Sequence, residues 1–172
     1  MSASSHLRVE AQFAAMRPWV PSSAALRRWA RAAHAAAEAR PRRRAGRPSV
    51  AATGVCIRIV GAAASRRLNA GFRAKDKPTN VLSFPASALE REIDGALGDL
   101  VICAPVVAAE ARAQHKAPAA HWAHMVVHGM LHLHGFDHES PREARAMERL
   151  EVEILGAFGY HDPYRPMSPS TP

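Results

Sequence analysis

The run HGMLHLHGFDH at residues 128–138 places the strictest condition on this chain, because its histidines recur in the pattern H-x3-H-x2-G-x2-H. In an α-helix, side chains four residues apart lie on one face, about 6 Å apart along the axis. His128 and His132 meet that spacing, so both can reach a single metal ion. Gly135 predicts the end of that helix, since glycine accepts the left-handed conformation just past a helix terminus. A chain that turns there brings His138 back as a third ligand. Three neutral imidazoles with one position left open describe a catalytic zinc site more than a structural one, and another divalent transition metal would suit the same donors. A water at the open position would be made more acidic by the ion. The expected metal site therefore lies at a helix C-terminus and in the turn that follows.

The neighbouring residues divide. His124 lies four positions before His128 on the same stripe and is either a support for the ligands or a packed side chain. His121 is less well placed, and His134, two residues beyond His132, should point away. Asp137 either orients a ligand imidazole or forms the turn.

The spacing matches zinc proteases of the H-E-x-x-H-x-x-G-x-x-H type. Their glutamate takes the proton from the attacking water, whereas this chain has Gly129 at that position. General-base help typically contributes about 10²–10⁴-fold in rate. A metzincin-like zinc peptidase is accordingly the weaker reading.

The rest of the chain alternates between apolar runs and helical stretches. LRVEAQF (7–13) reads as an edge strand. PSSAALRRWARAAHAAAEA (21–39) repeats Leu26, Trp29, Ala33 and Ala36 at helical spacing behind serine caps. SVAATGVCIRIVG (49–61) contains a β-branched strand, and AAASRRLNAGF a short helix. NVLSFP (80–85) and LGDLVICAP (97–105) are further strands, followed by helices in VVAAEARAQH, 117–135 and 140–160. The last helix has Ser140 as N-cap, Pro141 in its first turn and Glu143 three residues after the cap. This order predicts one α/β (mixed α+β) domain over 1–164, a small, mostly parallel sheet of about four strands packed with about five helices. RPRRRAGRP (40–48), with five arginines, two prolines and a glycine, should be a loop, and 165–172 a disordered tail.

Formal net charge is +8 and the pI about 10.7, with arginine supplying most of the cations. Guanidinium suits two-pronged contact with phosphate, so the balance favours a nucleic-acid partner, unless it is a compositional bias. No apolar run approaches the roughly 20 residues needed to cross a bilayer, and the N-terminus lacks the pattern of a secretory signal. A cytoplasmic protein is expected, with Cys56 and Cys103 as small buried hydrophobes.

HGMLHLHGFDH resembles the H-G-x-L-H-L-x-G-Y-D-H signature of the YbeY family, bacterial single-strand-specific metallo-endoribonucleases also called rRNA maturation factors. FRAKDKPTNVLSFP (72–85) is similar to that family's F-R-x-K-D-K-P-T-N-V-L-S-F-P block, and LGDLVIC (97–103) to its L-G-D-I-V-I strand. EVEILGAFGYHDPY (151–164) is similar to the family's C-terminal helix and tail. Ala74 stands where the family usually has glycine, and Phe136 where it has tyrosine. GAAASRR lacks the acidic residues often found there, and the first fifty residues match poorly.

The resemblance implies that His128, His132 and His138 bind one zinc-like ion and that Arg73 is the catalytic cation in the cleft. A guanidinium there would clamp the non-bridging oxygens of a phosphodiester as charge builds at phosphorus. Lys75 and Lys77 would help to track an RNA backbone. Asn80 and Ser83 either cap their strand or touch substrate. The implied substrates are single-stranded RNA and rRNA precursors, with the 3′ end of the small-subunit 16S rRNA foremost. The implied partners are the small ribosomal subunit and assembly factors. The group serving as general base is open, the RNA 2′-hydroxyl being an alternative nucleophile. A ribosome assembly factor with a mainly structural metal is the second alternative.

Overall fold

Strands β1 (Arg8–Phe13), β2 (Gly54–Val60), β3 (Val81–Pro85) and β4 (Ala96–Cys103) form one sheet in the order β1-β2-β4-β3. The computed structural model describes residues 6–40 and 53–166. β1, β2 and β4 run parallel, while β3 pairs antiparallel on the edge beside β4. The mostly parallel sheet is the one that alternating strands and helices call for. The Arg-rich segment after Arg40 and the tail from 167 lie outside the described residues.

Among the described residues six helices accompany the strands, three between them and three after β4: α1 (Ser23–Glu38), α2 (Ala62–Arg73), α3 (Ala88–Asp94), α4 (Ala104–Ala113), α5 (Pro118–Leu133) and α6 (Pro141–Ala157). The expectation of about five helices missed α3. That helix buries no residue, so no apolar stripe marks it. Its signals are terminal: Ser87 and Glu90 form a reciprocal capping box, and Gly95 ends the helix at φ 64°.

One face of the sheet is covered throughout, and the other near the C-terminal ends of β2 and β4, beyond the exposed Arg58 and Asp99, so the apolar runs of these strands are longest there. On one face Ile57, Ile59, Leu100 and Ile102 meet Leu26 and Trp29 of α1, Val126 and Met130 of α5, and Met147 and Ile154 of α6. On the other, Val60, Leu82, Val101 and Cys103 pack with Ala64 and Leu68 of α2. Cys103 is thus the buried hydrophobe expected, whereas Cys56 is only half-buried, and both are free thiols.

Edge strand β3 divides its side chains by strand periodicity. Val81 and Ser83 face α5, where the Ser83 hydroxyl donates to the Gly129 carbonyl at 3.3 Å. Leu82 and Phe84 face α2. This strand sets the level of the candidate site against the sheet.

Candidate metal centre

Helix α5 is buried along almost its whole length, and its last turns carry the candidate ligands. It ends as a Schellman motif. The Phe136 amide donates to the Leu131 carbonyl at 3.0 Å, the Gly135 amide donates to His132 at 2.9 Å, and Gly135 sits at φ 85°. Asp137 then accepts from the His138 amide at 2.7 Å, so its carboxylate shapes the turn that carries His138. Together the helix spacing and the turn gather His128, His132 and His138, one ligand nitrogen from each lying within 4.8 Å of the others.

Nε2 of His128 and Nε2 of His132 lie 3.1 Å apart. Two nitrogens that share a zinc at bond lengths of about 2.0–2.1 Å sit roughly 3 Å apart, so the donor set fits such an ion. Burial lowers the pKa of His132, and the neighbouring His128 and His138 lower it further. The neutral imidazole, which has the lone pair a metal needs, is thereby favoured. His138 is exposed and the other two are half-buried, so the cluster opens to solvent.

A carboxylate absent from the sequence-based site lies directly behind these rings. Glu151 of α6 is 0% exposed and accepts from Nδ1 of His128 at 2.6 Å. Its other oxygen faces Nε2 of His124 at 3.1 Å and accepts from the Tyr164 hydroxyl. Burial alone would raise its pKa, but the hydrogen bonds from His124 and His128 outweigh that and hold it at about 2. His124 is therefore a supporting residue in this structure, tied to the same carboxylate as His128. Burial, and then the bond to Glu151 and its charge, push the Tyr164 phenol well above its ordinary range. The sequence does hold a signal for Glu151. It occupies the buried stripe Met147, Leu150, Glu151, Ile154 and Leu155 of α6, where a charge must be paired.

The other expected residues are more dispersed. Asn80 turns its amide onto both oxygens of Glu110 at 3.1 Å, and His121 reaches Glu110 at 2.7 Å. Ser83 binds α5 backbone as described above. Arg73, the last residue of α2, and Lys75 and Lys77 in the following turn are exposed. His134 points away from the centre, as its spacing predicts, and meets His34 of α1 at 3.1 Å. Glu38 joins those two in a second cluster compact enough for an ion. His134, however, turns one nitrogen to His34 and the other to Glu38, the pattern of a hydrogen-bonded chain.

Gly129 has a packing role that its sequence position does not reveal. A Cβ there would stand 2.8 Å from Cδ2 of Leu100 and 3.3 Å from Cγ2 of Val81. The position faces the sheet and not the histidine cluster. A protease-type glutamate is thus excluded by the close approach of α5 to β4 and β3.

The sequence profile of Endoribonuclease YbeY matches residues 22–159, reaching further into the N-terminal third than the motifs do. A protein named Endoribonuclease YbeY from Alkalilimnicola ehrlichii is 51% identical over 163 residues, covering 92% of each chain. A protein of the same name from Methylococcus capsulatus is 49% identical over 150 residues, covering 87% of this chain and 91% of its own. A Thermotoga maritima protein known from a solution structure superposes with a TM-score of 0.53 at 23% identity, covering 92% of this chain and 99% of its own. That likeness speaks for the fold.

Proposed function

As the chain belongs to the Endoribonuclease YbeY family and is a nuclease acting on RNA, we propose that it cuts single-stranded RNA in a metal-dependent hydrolysis that serves rRNA processing. The observation that carries this reading is the meeting of His128, His132 and His138 at one solvent-open point, with His128 held from behind by Glu151. These histidines would hold one zinc ion or a similar divalent ion, which when bound polarises a phosphodiester oxygen and acidifies water. Glu151 fixes the tautomer and direction of the His128 ring by accepting a hydrogen bond from its Nδ1–H. Arg73 clamps the non-bridging oxygens of the scissile phosphate. Lys75 and Lys77 hold the flanking backbone through salt-sensitive contacts.

The substrates in this reading are rRNA precursors, notably the 3′ end of the 16S rRNA, and the partners are the small ribosomal subunit and its assembly factors. A part in ribosome quality control follows from the same partners. Among the described residues no helix is long and apolar enough to cross a membrane, and the cytoplasm is the compartment proposed. The packing of Gly129 against Leu100 weighs against the peptidase alternative.

The test compares wild type, His132→Ala and Arg73→Ala for metal content and for cleavage of a single-stranded rRNA precursor. His132→Ala should lose both, while Arg73→Ala should keep the metal and lose cleavage. Normal cleavage by Arg73→Ala would remove that residue from the mechanism. Cleavage of casein in place of RNA would restore the peptidase.

A further inference from the structure

Residues 71–77, GFRAKDK, are exposed one after another, yet this surface turn is tied down from beneath. Asn69, 1% exposed, donates from its amide to the Lys77 carbonyl at 2.7 Å. Ser65, also 1% exposed, donates to the Thr79 carbonyl and accepts from the Thr79 amide, both at 3.0 Å. Arg66 closes a two-pronged pair on Asp76 at 2.7 and 2.8 Å. Ala74 is held at φ 55°, a conformation that costs a residue with a Cβ about 1 kcal/mol or more. A solvated connector has no need of such ties, whereas a surface that must meet a ligand without loss of entropy does.

That fixed turn presents Phe72, 69% exposed, beside Arg73. The ring of Phe72 meets Phe84 of β3 edge-on, with centroids 4.8 Å apart and planes at 66°. Single exposed apolar side chains are ordinary, but this one is aromatic, seated against Phe84, and followed in the chain by Arg73, Lys75 and Lys77. Phe84 and Ser83 are successive residues of the edge strand. Ser83 binds the carbonyl of Gly129, the residue after His128. The aromatic pair thus lies on the α2 side of β3, and the helix that carries His128 and His132 packs on its other side.

We propose that Phe72, backed by Phe84, is a stacking platform for a nucleobase of the bound single-stranded RNA, with Arg73 and the lysines taking the adjoining phosphates. The proposal rests on the RNA reading above and adds the part of the substrate that a phosphate clamp does not recognise. Every base has a π-face, so such a platform favours unpaired strands without reading sequence. A duplex, whose bases are already stacked, would not engage it.

The test measures binding of an oligouridine and of an abasic strand of equal length by fluorescence anisotropy, with chelator present to prevent cleavage. Phe72→Ala should weaken oligouridine binding about 10-fold, the usual scale for losing one base–aromatic stack. It should leave the abasic strand and the salt dependence unchanged, and Phe72→Trp should restore affinity. Lys75→Ala with Lys77→Ala should instead weaken both strands and flatten the salt dependence. Equal oligouridine affinity for wild type and Phe72→Ala would overturn the platform. So would an equal loss on both strands. If wild type still cleaves RNA in either case, only the platform falls; a wild type that neither binds nor cleaves RNA overturns the functional reading as well.

Discussion

Glu151 and His128 are joined by a 2.6 Å hydrogen bond between a fully buried carboxylate and the ring nitrogen that faces away from His132. The bond fixes a proton on Nδ1 and leaves Nε2 as a lone-pair donor toward His132, 3.1 Å away. The orientation of the His128 ring thus depends on a side chain from a different helix.

Replacing Glu151 by glutamine keeps its size but allows the amide to turn a donor toward the imidazole. Loss of such a supporting carboxylate typically costs about 10–100-fold in metal affinity. Zinc titration of Glu151→Gln against a competing chelator dye should show a loss in that range, with the helical circular-dichroism signal retained. An unchanged zinc affinity would reduce Glu151 to a packing role.

The same substitution should have a pH signature in the metal-free protein. Glu151 titrates at about 2 in the folded chain, against an ordinary value of 4.5. A carboxylate with a depressed folded pKa adds stability above its unfolded pKa, and loses it as pH falls through the folded one. Urea unfolding with chelator present should place Glu151→Gln about 3 kcal/mol below wild type at neutral pH, the scale for breaking a buried charge pair. The gap should close as pH falls from about 4.5 toward 2. A gap that stays constant across that window would mean that the carboxylate charge contributes nothing.

The two halves of this site differ in how far they can be read from the chain. His128, His132, Gly135 and His138 lie within one helix and one turn, so local geometry alone brings them together. Glu151 and Tyr164 reach the same rings only through packing of α6 on α5, which no short-range spacing encodes. Its trace in the sequence is a charge inside an apolar stripe, which shows that a partner exists without naming it. The sheet followed from β-branched runs alternating with helices, and α3 escaped because it packs nothing away. Gly129 shows a further limit. Its meaning depends on a distance to Leu100, and the spacing of a motif carries no such distance.

Gly129 offers the second mutational test. Helix propensity alone favours alanine over glycine by about 1 kcal/mol. Here the new Cβ would lie 2.8 Å from a methyl of Leu100, which is 0% exposed and packed within the core. Overpacking of this kind costs about 1–3 kcal/mol, so Gly129→Ala should be destabilised overall. Combining it with Leu100→Ala should cost less than the sum of the two single losses, because the cavity takes up the added methyl. Gly129→Glu should fail to fold or unfold at a much lower temperature, and should gain no peptidase activity. Additive losses in the cycle would place the strain elsewhere.

Two glycines with open space around them separate backbone conformation from packing. An added Cβ meets nothing within 4 Å at Gly135 or at Gly156, but Gly135 sits at φ 85° while Gly156 lies within helix α6. Alanine at Gly156 should stabilise the chain by about 0.5–1 kcal/mol through helix propensity and a less flexible unfolded state. Alanine at Gly135 should destabilise it by about 1 kcal/mol or more, because a Cβ is strained in the left-handed region. Thermal unfolding in chelator should therefore move in opposite directions for one and the same substitution. Gly135→Ala should also weaken zinc binding, since the turn it strains carries His138 back to His128 and His132. Gly156→Ala should leave zinc binding unchanged. If the two variants shift melting in the same direction, the Schellman turn at the end of α5 does not hold His138 in the way described.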